Sequence, residues 1–156
     1  MESLERILRQ HPFCRDMDEN HLQLMVGCAS NMRVDAGQFI FHEGDPANEL
    51  YLIRSGRVSL EFFAAERGAI SILTLGEGDP LGWSWLVPPY RWKFDARALE
   101  LTRALVFDGK CIRNKCEQDY KLGYDLMRKS VAIVEQRLEA TRLQLLNLYG
   151  IPAGAP

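Results

Sequence analysis

The chain has 156 residues, 47% of them hydrophobic and 26% charged, with a net charge of −2. That is enough for one domain with a full core, and the mild acidity argues against a general nucleic-acid binder, which carries a basic excess. No apolar run is long enough to span a membrane, and the charged start MESLERILRQ lacks the order of a signal peptide, so a cytoplasmic address is expected.

The first stretch, through residue 33, reads as short helices. SLERILRQHPF spaces Leu4, Ile7 and Leu8 for a helix, and Asp18 is placed to cap DENHLQLMVGCAS, with Gly27 as a stop. From Val34 the texture turns to strands. FIFH, ELYLIR, RVSLEFF, ISILTL and RALVFD carry branched and aromatic residues, and RSG, ERG and GEGDP supply turns between them. Short strands at regular spacing predict an antiparallel β-roll or jelly roll over residues 34–108.

After Phe107 the period becomes helical, with residues 109–150 completing a single domain over 1–156. Asp108 can cap a short helix, and Asp119 a long one that ends at Gly150 with Pro152 beyond. Met127, Val131, Val134, Leu138, Thr141, Leu145 and Leu148 alternate steps of four and three, an a/d seam that predicts a parallel homodimer. The fold expected is mainly β with flanking helices and a C-terminal dimerisation helix.

All three tryptophans fall in LGWSWLVPPYRWKF, residues 81–94. In an extended segment Trp83 and Trp85 would share a face, whereas on a single helical turn they would diverge. The four cysteines, Cys14, Cys28, Cys111 and Cys116, have no metal-ligand spacing, and reduced thiols are expected.

Residues 37–58, GQFIFHEGDPANELYLIRSGRV, carry a "G…I…EGD…LY.I..G.V" pattern. On that pattern the chain resembles the cyclic-nucleotide-binding domain of catabolite-activator and fumarate–nitrate-regulator sensors. The bottom-up reading of the pattern residues is structural, because the glycines serve turns and Asp45 caps its own turn. The resemblance implies a ligand segment at Gly82, Trp83, Ser84, Trp85, Arg91, Trp92 and Lys93. Family members place a ribose-binding glutamate beside the glycine and a phosphate-binding arginine further on. Here Trp83 occupies the glutamate position, and the arginine position falls near Arg91 or Trp92. Indole offers a donor and no acceptor, so cAMP or cGMP is not expected to bind in the usual manner.

Haem, used by some members of that family, would need an axial ligand from His11, Cys14, His21 or His42, and nothing in the spacing selects one. A cupin-like metal site needs convergent histidines, and His42 stands alone; no hydrolase elbow or phosphate loop occurs, so neither an enzyme nor a cofactor is expected. The sequence stops where the family's helix-turn-helix would start, so direct DNA contact is not expected of this chain. The reading is a non-enzymatic, dimeric regulatory sensor with an aromatic pocket for a small or anionic ligand, passing its signal to a protein partner. The alternatives are a ligand-free interaction platform, marked by an exposed Trp85–Pro89–Tyr90 patch, and the sensory part of a DNA-binding regulator.

Overall fold

The computed structural model describes residues 3–150, which leaves the stop at Pro152 outside the described residues. Helices α1 (Leu4–Gln10) and α2 (Glu19–Val26) come first. Strands β1 (Ala29–Val34), β2 (Phe39–Phe41), β3 (Glu49–Ser55), β4 (Val58–Ala64), β5 (Gly68–Leu75), β6 (Asp95–Ala98) and β7 (Thr102–Asp108) follow. Helices α3 (Gly109–Gln118) and α4 (Tyr120–Leu148) complete the chain. The strands pair antiparallel into two sheets, in the orders β1-β7-β3 and β2-β6-β4-β5. The expected β-roll with flanking helices is the observed architecture.

The caps fall where the sequence put them. Asp18 accepts from the Asn20 amide at 2.8 Å, Asp108 from Cys111 at 2.8 Å, and Asp119 from Lys121 at 3.1 Å, each satisfying a first-turn donor. The RSG turn works because Gly56 takes φ +100° while a Cβ there would lie 2.5 Å from the Thr102 hydroxyl. Only glycine tolerates both constraints.

Two cores form on the two faces of the β1-β7-β3 sheet. Between the sheets lie Phe41, Tyr51, Ile53, Val58, Leu60, Leu75, Trp92 and Val106. On the outer face, Leu50, Leu52, Leu105 and Phe107 pack against Leu8, Leu22, Met25, Ile112, Leu122 and Leu126 of the four helices. Alternation along β3 and β7 sends successive residues into different cores, which explains why both strands are apolar almost throughout.

Two expectations need correction. The roll begins at Ala29, not Val34: ASNMRV has no strand alternation to read, yet it forms the sheet's edge by pairing with β7 from Ala29↔Phe107 to Val34↔Thr102. Cys28 and Cys111 are joined in a disulfide, with Cα atoms 5.9 Å apart, so they are not reduced thiols. The same β1–β7 pairing brings the two together across a sequence separation of 83, a proximity that spacing alone does not reveal. Cys14 and Cys116 remain free, and burial pushes the Cys14 thiol up to about 12.

Candidate functional site

The segment between β5 and β6 is stitched onto the roll at both ends. Leu81 donates to the Tyr51 carbonyl at 3.0 Å, and Ile53 to Asp79 at 2.9 Å. Further on, Trp92 donates to Asp45 at 3.0 Å while Gly44 donates to Trp92 at 2.8 Å. The EGD loop therefore holds the tryptophan segment in place, as well as making its own turn. Between these anchors a single turn, closed by the Leu86 amide on the Trp83 carbonyl, separates the two rings: Trp85 is buried in the helical core, while Trp83, packed at that core's edge, also lines a cavity.

That divergence sorts the predicted ligand residues. Trp85, 1% exposed, enters the helical core, and its carbonyl accepts from Arg113. Trp92, 2% exposed, stacks on Phe41 at 3.9 Å between the sheets. Ser84 is buried, and a Cβ on Gly82 would meet the Trp92 ring at 3.0 Å. Arg91 is turned to the Gly44 carbonyl at 3.2 Å. Of the seven, Trp83 and Lys93 line one cavity between the sheet and α4, together with Phe94.

This cavity, about 220 Å³, lies between the β2-β6-β4-β5 sheet, the tryptophan segment and α4. Leu60, Phe62, Ile72, Leu73 and Phe94 make most of its wall apolar, and Ala140 and Thr141 close the helix side. Arg137 supplies its charge. The guanidinium donates to the Leu81 carbonyl at 2.6 Å and to the Pro80 carbonyl, and lies 5.5 Å from the Trp83 ring centroid. No carboxylate pairs with it among the described residues. Burial pulls its pKa down to about 10, a shift that Asp79 partly opposes. A desolvated cation beside Lys93 in an apolar hollow suits an anionic group carried on an apolar body.

The sequence reading missed Arg137, though one signal was present. Leu122, Leu126, Ser130 and Ile133 form the buried face of α4, and the next step of four along it is a charge. Thr141, expected at the dimer seam, lines the cavity, and its hydroxyl donates to the Arg137 carbonyl at 2.8 Å. Like Thr141 itself, the seam residues Met127, Val131, Val134, Leu138, Leu145 and Leu148 are all exposed, along a stripe beside that buried face. So α4 carries two apolar stripes, one packed on its own roll and one uncovered.

Of the four residues considered for haem, none lines the cavity. The His11 Nε2–H donates to the Ile53 carbonyl at 3.0 Å and its Nδ1 accepts from Phe13, so both ring nitrogens are engaged. Among the described residues no three His, Cys, Asp or Glu gather as a metal site, and no helix is long and apolar enough to cross a membrane.

The two-sheet roll, the segment inserted between β5 and β6 and the long helix beside the cavity define the fold class. The chain belongs to the cyclic nucleotide-binding domain family, whose model matches residues 31–119. A structure of a candidate cyclic nucleotide-binding protein from Geobacter metallireducens GS-15 is 29% identical, covers 88% of this chain and 99% of its own, and has a TM-score of 0.77. The sensor domain of the transcriptional regulator DNR from Pseudomonas aeruginosa shares the fold at 18% identity and a TM-score of 0.69, covering 86% of this chain and 91% of its own. Among curated relatives, cyclic nucleotide-gated ion channel 18 of Arabidopsis thaliana is 32% identical over 87 residues, which is 53% of this chain. An uncharacterized NTE family protein of Mycobacterium bovis is 31% identical over 75 residues, 48% of this chain. The chain matches only 12% of the length of either relative.

Proposed function

We propose that the chain is a non-enzymatic sensor module that takes an anionic ligand with an apolar body into the Arg137 cavity and relays its occupancy through α4 to a second copy. The observation that carries this reading is Arg137: a half-buried cation with no carboxylate ion pair among the described residues, fixed to Pro80 and Leu81 and facing an apolar hollow. It stands on the helix whose outer stripe is uncovered, so pocket and seam share one rigid element. Trp83, at the position where the family keeps a sugar-binding carboxylate, offers no acceptor to a ribose hydroxyl. The ligand is therefore not cAMP or cGMP in the usual pose. Coupling requires that the ligand bind two arrangements of roll and helix unequally.

Trp83 makes the test direct. Tryptophan emission is followed while cAMP, cGMP, other nucleotides and haem are titrated in, first into the native chain and then into Arg137→Met. Saturable quenching by an anionic member of the set, weakened roughly tenfold or more in the variant, is the expected result. Silence across the whole set would defeat ligand sensing.

A second reading is favoured by what the similar structures are. One is the sensor domain of a transcriptional regulator and another is the N-terminal domain of a Streptomyces coelicolor regulator, so this chain would be the sensory part of a DNA-binding protein. The size of the native gene product decides between the two. The ligand-free platform loses its marker, because Trp85 is buried and no Trp85–Pro89–Tyr90 patch forms.

A further inference from the structure

The Arg137 cavity offers a ligand many hydrogen-bond donors and few acceptors. None of the described residues lining it is Asp, Glu, Asn, Gln or His. Of the five N–H groups of Arg137, two go to the Leu81 and Pro80 carbonyls, which leaves three. Lys93 adds an ammonium to the wall, and the indole of Trp83 can only donate. The Thr141 hydroxyl has given its proton to the Arg137 carbonyl, and Gln144 donates to the Ile72 carbonyl. A carboxylate, which only accepts, matches such a lining. The amino group of a base and the hydroxyls of a ribose do not, because each donor left without a partner on leaving water weakens binding.

Size and shape narrow the rest of the molecule. Phe62, Trp83 and Phe94 put three aromatic rings in the wall, and the other apolar lining residues are aliphatic. A dry cavity of about 150 Å³ lined by Leu, Ile and Phe accommodates one benzene molecule. The 220 Å³ here therefore holds one ring with about 70 Å³ to spare, the share of about two water molecules and enough for a carboxylate on a short link. Pockets that enclose drug-sized ligands begin at about 300 Å³. A nucleotide would set its phosphate against Arg137 and leave its sugar and base partly outside. Rings packed edge-to-face or offset on other rings gain roughly two- to tenfold in affinity over equal apolar area, which favours an aryl body over an alkyl chain.

We infer that the cavity selects a monocyclic aromatic carboxylate, its anionic head on Arg137 and its ring among Phe62, Trp83 and Phe94. The inference rests on the reading of this cavity as a site for an anion on an apolar body, and narrows that reading to one ligand class. Lys93, exposed at the wall, draws the anion in without fixing it, whereas the half-buried Arg137 holds it.

The probes are phenylacetate, its neutral amide phenylacetamide, hexanoate and cAMP, each titrated into the full chain while its three indole N–H resonances are followed by NMR. Phenylacetate should shift one of the three saturably, and Trp83→Phe should identify that signal by removing it. Phenylacetamide should bind at least roughly tenfold more weakly, hexanoate and cAMP more weakly than phenylacetate, and Arg137→Met should lose roughly tenfold or more for phenylacetate. The other two indole signals, from the buried Trp85 and Trp92, should stay in place in Arg137→Met and so report an intact fold. Tighter binding of cAMP or hexanoate than of phenylacetate would overturn the aryl class and leave the anionic-ligand reading standing. Silence toward phenylacetate would do the same, unless it extends to cAMP, the other nucleotides and haem, which removes the reading beneath it as well. Equal binding of amide and acid would end the need for an anion, and with it both.

Discussion

A guanidinium withdrawn from water must find acceptors, and Arg137 finds two backbone carbonyls and the face of an indole. A second arginine shows the opposite solution. Arg97 forks onto Glu61, with Nε at 3.1 Å and Nη2 at 2.7 Å from the two carboxylate oxygens, and Glu61 is buried. The Arg97 hydrogen bonds lower the Glu61 pKa below its ordinary value. Its contribution to stability is therefore complete above the ordinary carboxylate range and lost as pH falls through the lowered folded value. Glu61→Gln should cost about 2 kcal/mol near pH 7, and the gap from the native chain should close in acid; urea unfolding across pH measures both. Neither arginine's role was legible beforehand. Trp83 and Lys93 line the cavity, but Trp85 and Trp92, alike in sequence, are claimed by two different cores. Which core takes which ring depends on a single turn at Trp83–Leu86 and on the EGD loop's hold on Trp92. Neither is a local property of the aromatic run.

At the scale of elements, the sequence was most readable where one residue performs one local task. Asp18, Asp108 and Asp119 cap because a short side-chain oxygen beside a helix start has few other uses. β1 went unread because an edge strand with one partner and much solvent needs no alternation to form. The heptad steps in α4 marked a stripe that the structure leaves exposed, with Leu138 68% accessible. Thr141, exposed like the rest of the stripe, also lines the cavity and donates its hydroxyl to the Arg137 carbonyl. Val134→Asp/Leu138→Asp changes two residues exposed in the single chain, so the fold should survive. Light scattering should then give dimers for the native chain and monomers for the variant. A dimer that persists would place the contact elsewhere.

For the molecule as a whole, the Cys28–Cys111 bridge closes a loop of more than 80 residues and ties the end of α2 to the first turn of α3. A loop of that size predicts a stabilisation of about 4 kcal/mol from the chain entropy it removes. Cys28→Ser/Cys111→Ser, or reduction of the native chain, should lower the calorimetric midpoint by roughly 10 °C. An unchanged midpoint would mean that the bridge is absent in solution. The staple and the paired sheets make a stiff body, and α4 leaves it as a rod about 44 Å long. Arg137 ties that rod to the pocket wall near its middle, through the Pro80 and Leu81 carbonyls. Were the rod to tilt by about 5° about Ile133, Leu148 would swing by about 2 Å, since the arm between them is about 22 Å. A pocket rearrangement too small to alter the fold would thus arrive at the far tip as a displacement comparable to the radius of a methyl group.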